Sequence, residues 1–170
     1  EREVFVAYAR PSFTPGTPVL VVAQDLMQRI FKDFTYESLS TDVSTPAVEA
    51  LAQRKGVCQD FAHIMIACMR AMGLPARYVS GYLLTEPPPG QPRLVGADAS
   101  HAWAAVWCPG EDGGEWFDLD PTNDRAAGED YVTLALGRDY SDVSPLSGVI
   151  QGGEHHVPHV AVTVEPAAGP

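Results

Sequence analysis

From Val57 to Met72 almost every side chain is apolar, and Gly73-Leu74-Pro75 follows as a helix stop. The polar exceptions are Gln59, Asp60, His63 and Arg70. At about 100° per residue these four fall within one narrow stripe. A helix that is apolar nearly all the way round has to be enclosed, so this segment is expected in the middle of the domain. The rest of the chain must supply the cover. With 45% hydrophobic residues in a chain of 170, one domain has enough apolar side chains to do so.

The segments before it also read as helices. Thr17-Pro18 is a good helix start, because proline suits the first helical position. From Val19 onwards, Val22, Ala23, Leu26, Met27, Ile30 and Phe34 recur at helical spacing. A shorter helix is expected from Thr45-Pro46, carrying Val48, Leu51 and Ala52 and stopping at Gly56. Residues Glu1 to Arg10 alternate loosely and suggest a strand or an ordered arm. After Pro75 the period changes to that of strands. The candidates are Arg77 to Thr85, His101 to Cys108, Glu115 to Asp120, Tyr131 to Leu136 and Val157 to Val164. Turns such as Pro87-Pro88-Pro89-Gly90 and Pro109 to Gly114 join them. Helices first and strands after, linked by short hairpins, argue for an α+β domain with helices packed on an antiparallel sheet.

The net charge of −11, from 22 acidic against 11 basic residues, repels phosphate backbones and anionic lipid. Nucleic-acid and membrane partners are therefore not expected. No run of about 18 uncharged apolar residues is present to span a bilayer. Cys58, Cys68 and Cys108 are odd in number and form no close pair, which argues against a disulfide framework and a zinc site. The composition suits a reducing compartment, the cytoplasm. The chain starts Glu1-Arg2-Glu3-Val4, with no initiator Met and no signal-peptide core, which suggests a missing upstream piece or a trimmed tag.

Three residues carry candidate chemistry. A thiol attacks only as thiolate, a form favoured by a helix N-terminus and by a neighbouring imidazolium. Cys58 lies in the first turn of the apolar helix, outside its polar stripe, where unpaired N–H groups and the positive dipole end lie. The same N–H groups could hold an oxyanion. Position alone also allows a small buried hydrophobe. Cys68, in mid-helix, reads as core packing, and Cys108, at a strand end, as structural. His101 opens the strand His-Ala-Trp-Ala-Ala-Val-Trp and is the candidate base. His63 is a weaker candidate, about 140° around the same helix from Cys58. His155, His156 and His159, near the tail, read as a solvated or metal-scavenging cluster.

Hairpin geometry places the third residue. If Cys108 pairs with Glu115 across the intervening turn, His101 faces Thr122. Asp118 and Asp120 then share a face with His101, because strand side chains alternate. Asp120 is the diagonal neighbour, within reach of the imidazole, whereas Asp118 lies opposite Ala105. A bulge would shift the register by one and swap faces. On the simple register, Asp120 orients His101 and Asp118 is a surface or supporting carboxylate.

Four ordered motifs also carry a resemblance. Arg54-Lys55-Gly56-Val57-Cys58-Gln59-Asp60-Phe61-Ala62 resembles the nucleophile segment of bacterial transglutaminase-like proteins. Gly73-Leu74-Pro75-Ala76-Arg77-Tyr78-Val79-Ser80-Gly81-Tyr82 resembles the strand that follows it in that family. Ser100-His101-Ala102-Trp103 is similar to the histidine motif, and Asp120-Pro121-Thr122-Asn123 to the aspartate motif. The match runs from about Thr41 to Val164. It implies a papain-like α+β transglutaminase core with Cys58, His101 and Asp120 as a catalytic triad, and it chooses Asp120 over Asp118 independently. Family members usually carry a smaller β-rich domain upstream. Residues 1–170 are thus expected to form one catalytic domain, with 1–16 an arm or the remnant of a linker.

The implied reaction is acyl transfer on a peptide or protein amide through a thioester. Resolution by water gives a protease or amidase; resolution by an amine gives a transglutaminase. Hydrolysis is the preferred reading, because nothing in the sequence marks an amine site. A binding or scaffold domain that kept the fold is the competing class. No segment resembles a calcium-binding loop, and no cofactor or metal is called for. Gln53 or Gln59 could assist the oxyanion, although Gln53 also reads as a plain helix-surface residue. Trp103 could shield the site from water or simply pack, and Tyr78 and Tyr82 read as sheet packing. The Glu86 to Asp98 segment, rich in Pro and Gly, is expected to wall one side of the site.

Overall fold

The structure, a computed structural model, describes residues 1–38, 40–85, 100–111, 113–144 and 161–167. Its first element is a helix, α1 (Arg2–Ala9), where the loose alternation suggested a strand or arm. Phe5, Tyr8 and Ala9 are buried at helical spacing, and α1 packs on the central apolar helix. Helix α2 (Val19–Asp33) begins directly after Pro18 and buries Val22, Ala23, Leu26, Met27 and Ile30 along one stripe.

Helix α3 (Ala47–Gln53) ends before Gly56, where the stop was expected. Arg54 caps it in the left-handed region, at φ 57° and ψ 31°, and this turns the chain out of the helix. Lys55–Gly56 (β2) then pairs in parallel with Thr35–Tyr36 (β1). The Thr35 N–H donates to the Arg54 carbonyl and the Glu37 N–H to the Gly56 carbonyl, both at 2.9 Å. Neither bond is available while Lys55 and Gly56 are helical.

Helix α4 (Cys58–Ala71) is the apolar helix, and it touches α1, α2, α3 and the sheet. Its end is a Schellman turn. Gly73 takes φ 88°, the Leu74 N–H donates to Met69 O at 2.9 Å, and the Gly73 N–H donates to Arg70 O at 3.0 Å. Of its four polar residues, Gln59, His63 and Arg70 keep some exposure or lie at the surface, but Asp60 is buried.

Strands β3 (Ala76–Leu83), β4 (Ser100–Cys108), β5 (Glu115–Asp120), β6 (Arg125–Ala126) and β7 (Tyr131–Gly137) form an antiparallel sheet in the order β6-β5-β4-β3-β7. Strand β6 and a one-turn helix, α5 (Tyr140–Val143), are additions to the sequence reading. Ala102, Ala104 and Val106 join the helical core, the alanines leaving room for α4 to approach β4. Val79, Trp103 and Ala105 form a second small cluster with Trp116, Ala127 and Tyr131. Of the candidate strand from Val157 to Val164, residues 157–160 lie outside the described residues, and Ala161 to Val164 hold only a single bridge at Val162. Among the described residues no helix is long and apolar enough to cross a membrane.

Candidate active site

The thiol of Cys58 is presented by a tightly held turn. Cys58 is the first residue of α4 and Val57 its cap. The Asp60 carboxylate reaches back, and its Oδ2 accepts the Val57 N–H at 2.8 Å and the Thr41 hydroxyl at 2.6 Å. This is why Asp60 is buried although it belongs to the polar stripe. It also explains Gly56, since a Cβ at that position would lie 2.5 Å from Asp60 Oδ2 and 2.8 Å from Asp60 Cβ. The N–H groups of the first helical turn, Cys58 among them, have no partner within the helix.

His101 and Asp120 meet as the hairpin count requires. The β4–β5 ladder pairs Cys108 with Glu115 and ends with Ala104 opposite Leu119, leaving His101 and Asp120 just beyond it on the diagonal. His101 Nε2 lies 2.7 Å from Asp120 Oδ2. The Cys58 thiol also interacts with the imidazole. Burial alone would lower His101, but the bond to Asp120, the contact with Cys58 and the negative charge of both push it up to about 9.

Asp120 is fully buried and has four donors. Oδ2 accepts from His101 Nε2, Asn123 Nδ2 and the Tyr131 hydroxyl, each at 2.7 Å, while Oδ1 accepts the Thr122 N–H at 2.8 Å. Burial opposes the charged carboxylate. The bond and positive charge of His101, with the bonds from Asn123 and Tyr131, nevertheless hold it below the usual carboxylate range. Tyr131 and Asn123 had no assigned role in the sequence reading. Asn123 stands in the quoted aspartate motif, but Tyr131 comes from β7, two strands beyond β4 in the sheet order.

The remaining candidates lie elsewhere. Gln53 is exposed and donates to Glu49 at 2.9 Å on the surface of α3. Gln59 donates to the Val43 carbonyl at 3.1 Å and anchors the loop before α3. His63 Nε2 accepts the Tyr140 N–H at 3.1 Å, and burial lowers its titration, so it serves as a neutral acceptor. Trp103 is fully buried, donates to Asp118 Oδ2 at 3.0 Å and lies 6.0 Å from the His101 ring, so it packs beneath the imidazole. Among the described residues no group of three or more His, Cys, Asp or Glu is placed to hold a metal. His155, His156 and His159 and the Glu86 to Asp98 segment lie outside the described residues.

A thiol on the first residue of a buried helix, facing a histidine and an aspartate from neighbouring antiparallel strands, defines the papain-like α+β class. The family model of the transglutaminase-like superfamily matches residues 6–121, and the chain belongs to that family. An uncharacterized protein of Mycobacterium tuberculosis is 54% identical over 164 residues, which is 95% of this chain and 52% of the relative. A proposed cysteine protease from Cytophaga hutchinsonii superposes with a TM-score of 0.68 at 29% identity, covering 84% of this chain and 45% of that one. A protein-glutamine gamma-glutamyltransferase of Pseudomonas aeruginosa is 35% identical over 107 residues, 58% of this chain and 16% of the relative. The chain thus spans about half the length of the first curated relatives it matches, at 52%.

Proposed function

We propose that this chain transfers the acyl group of a peptide or protein amide to water through a thioester on Cys58, with residues 1–170 acting as one catalytic domain. The observation that carries this reading is the His101 ring, held by Asp120 at Nε2 and interacting with the Cys58 thiol. The Cys58 sulfur attacks the carbonyl carbon, and first-turn N–H groups of α4, Cys58 among them, receive the oxyanion. Protonated His101 gives its proton to the leaving nitrogen, the C–N bond breaks, and the thioester forms. Water then attacks with His101 taking its proton, the C–S bond breaks, and the acid departs. Asp120 keeps the imidazole in one orientation and stabilises its charged form throughout. Three unpaired thiols fit a reducing, cytoplasmic setting.

A second reading, amine transfer, is favoured by the likeness to the Pseudomonas aeruginosa gamma-glutamyltransferase. Both share every step up to the thioester. Incubation with candidate amides and a labelled amine, scored by mass spectrometry, separates them. Cleavage or ammonia release without label supports hydrolysis, and label in the product sinks it. No turnover and no acyl-Cys58 across a broad amide panel would leave the scaffold class standing instead.

A further inference from the structure

Asp120 Oδ2 has three donors where orienting a histidine needs one. One of them, Tyr131, is itself held by Trp103 and Arg125. Its ring stands edge-on to Trp103 with centroids 5.2 Å apart, and it lies 6.1 Å from the His101 ring. The Arg125 guanidinium lies 4.8 Å over the ring, and Arg125 Nε donates to the Tyr131 hydroxyl at 3.0 Å. Arg125 is itself paired with Asp130. The hydroxyl therefore accepts from a cation and donates to the carboxylate oxygen that holds His101.

We propose that Tyr131, backed by Arg125, is a positioning residue that shares the Oδ2 charge with His101 and so tempers the pull of Asp120 on the imidazolium. A carboxylate oxygen that already satisfies other donors attracts a neighbouring cation less than a bare one. Burial and the adjacent carboxylate push the Tyr131 hydroxyl well up, so it stays a donor throughout the working range. The charged and titratable groups around the pair are Cys58 on α4, Tyr131 on β7, Arg125 on β6 with Asp130, and Asp118 on β5, which is engaged by Trp103.

The inference rests on the reading of Cys58, His101 and Asp120 as a working set, but its test needs no substrate. The His101 ring signals are followed by NMR across pH in the 18.3 kDa chain and in two variants. Tyr131→Phe keeps the ring packing and removes the donor; Arg125→Gln, at a half-exposed side chain, leaves Tyr131 in place but weakens it. The His101 midpoint is expected to rise by roughly half a pH unit or more in Tyr131→Phe, and by less in Arg125→Gln. A packing role would change the melting temperature and leave the midpoint alone. A midpoint unchanged or lowered in Tyr131→Phe overturns the proposal. If that variant does not fold, an unchanged midpoint in Arg125→Gln overturns it. An enzyme inactive on every amide leaves this result standing, so the two failures are distinguishable.

Discussion

Asp120→Asn is the perturbation that most directly tests what holds the site together. The amide has one acceptor oxygen where the carboxylate has two. With that oxygen in the Oδ2 place it keeps three bonds and turns its NH2 against the Thr122 N–H; flipped, it opposes all three donors instead. The first orientation is the better one, and it still loses the charge. Two routes size the loss. The gap between about 9 for His101 and its ordinary 6.5 corresponds to about 3 kcal/mol, an upper bound on the share of Asp120 because Cys58 contributes to the same rise. Exchanging charge-assisted bonds for neutral ones costs about 1 kcal/mol at each retained contact, roughly 3 kcal/mol together. The two figures measure overlapping parts of one effect, so they are not added.

The loss also has a pH signature. His101 is raised by folding, so its share of the stability is complete below about 6.5 and disappears as pH rises through about 9. Asp120 is lowered by folding from 3.8, so its share is complete above that value and disappears as pH falls through its depressed folded value. Thermal unfolding of both proteins across pH should therefore show the widest gap between about 4 and 6.5, roughly 6–12 °C for a chain of this size. The gap should narrow by about pH 10. In Asp120→Asn the His101 midpoint should fall toward the ordinary 6.5, since burial opposes its charge and Cys58 alone still supports it. A gap under about 1 kcal/mol near pH 6, or one that keeps its width up to pH 10, refutes the reasoning.

Iodoacetamide near neutral pH should label Cys58 well ahead of the other thiols, because burial pushes Cys68 up to about 12 and raises Cys108. Mass spectrometry showing Cys58 and Cys108 labelled at equal rates would refute an activated nucleophile. Gly56→Ala should cost about 2 kcal/mol and slow Cys58 alkylation, as the new methyl displaces Asp60 from Val57 and Thr41. Wild-type urea unfolding in that variant would show that the Asp60 bonds do not hold the turn.

What the sequence makes legible divides along the range of the interactions involved. The run from Val57 to Met72 and the Gly73 stop are local signals, and α4 with its Schellman end follows from them. The meeting of His101 and Asp120 spans 19 residues, but a hairpin with a short turn converts that distance into counting. Counting fails where the ladder is irregular. Strand β7 meets β3 across a register shift between Ser80 and Gly81, so alternation alone does not say which β7 side chain faces Asp120. Gly81 belongs to the same adjustment, since a Cβ there would collide with the Val132 carbonyl and the Trp103 ring. Asp60 was legible as a polar residue on an apolar helix but not as a buried one, because its partners Val57 and Thr41 depend on how the preceding loop folds back. His101 and Asp120 thus lie on strands whose pairing is regular, and the residues that brace them and the Cys58 turn, Tyr131, Thr41 and Asp60, depend on a bulge or a loop. A sequence search built on motif spacing will keep finding the first group and missing the second, which makes Tyr131→Phe a sharper probe of this site than another substitution at Cys58.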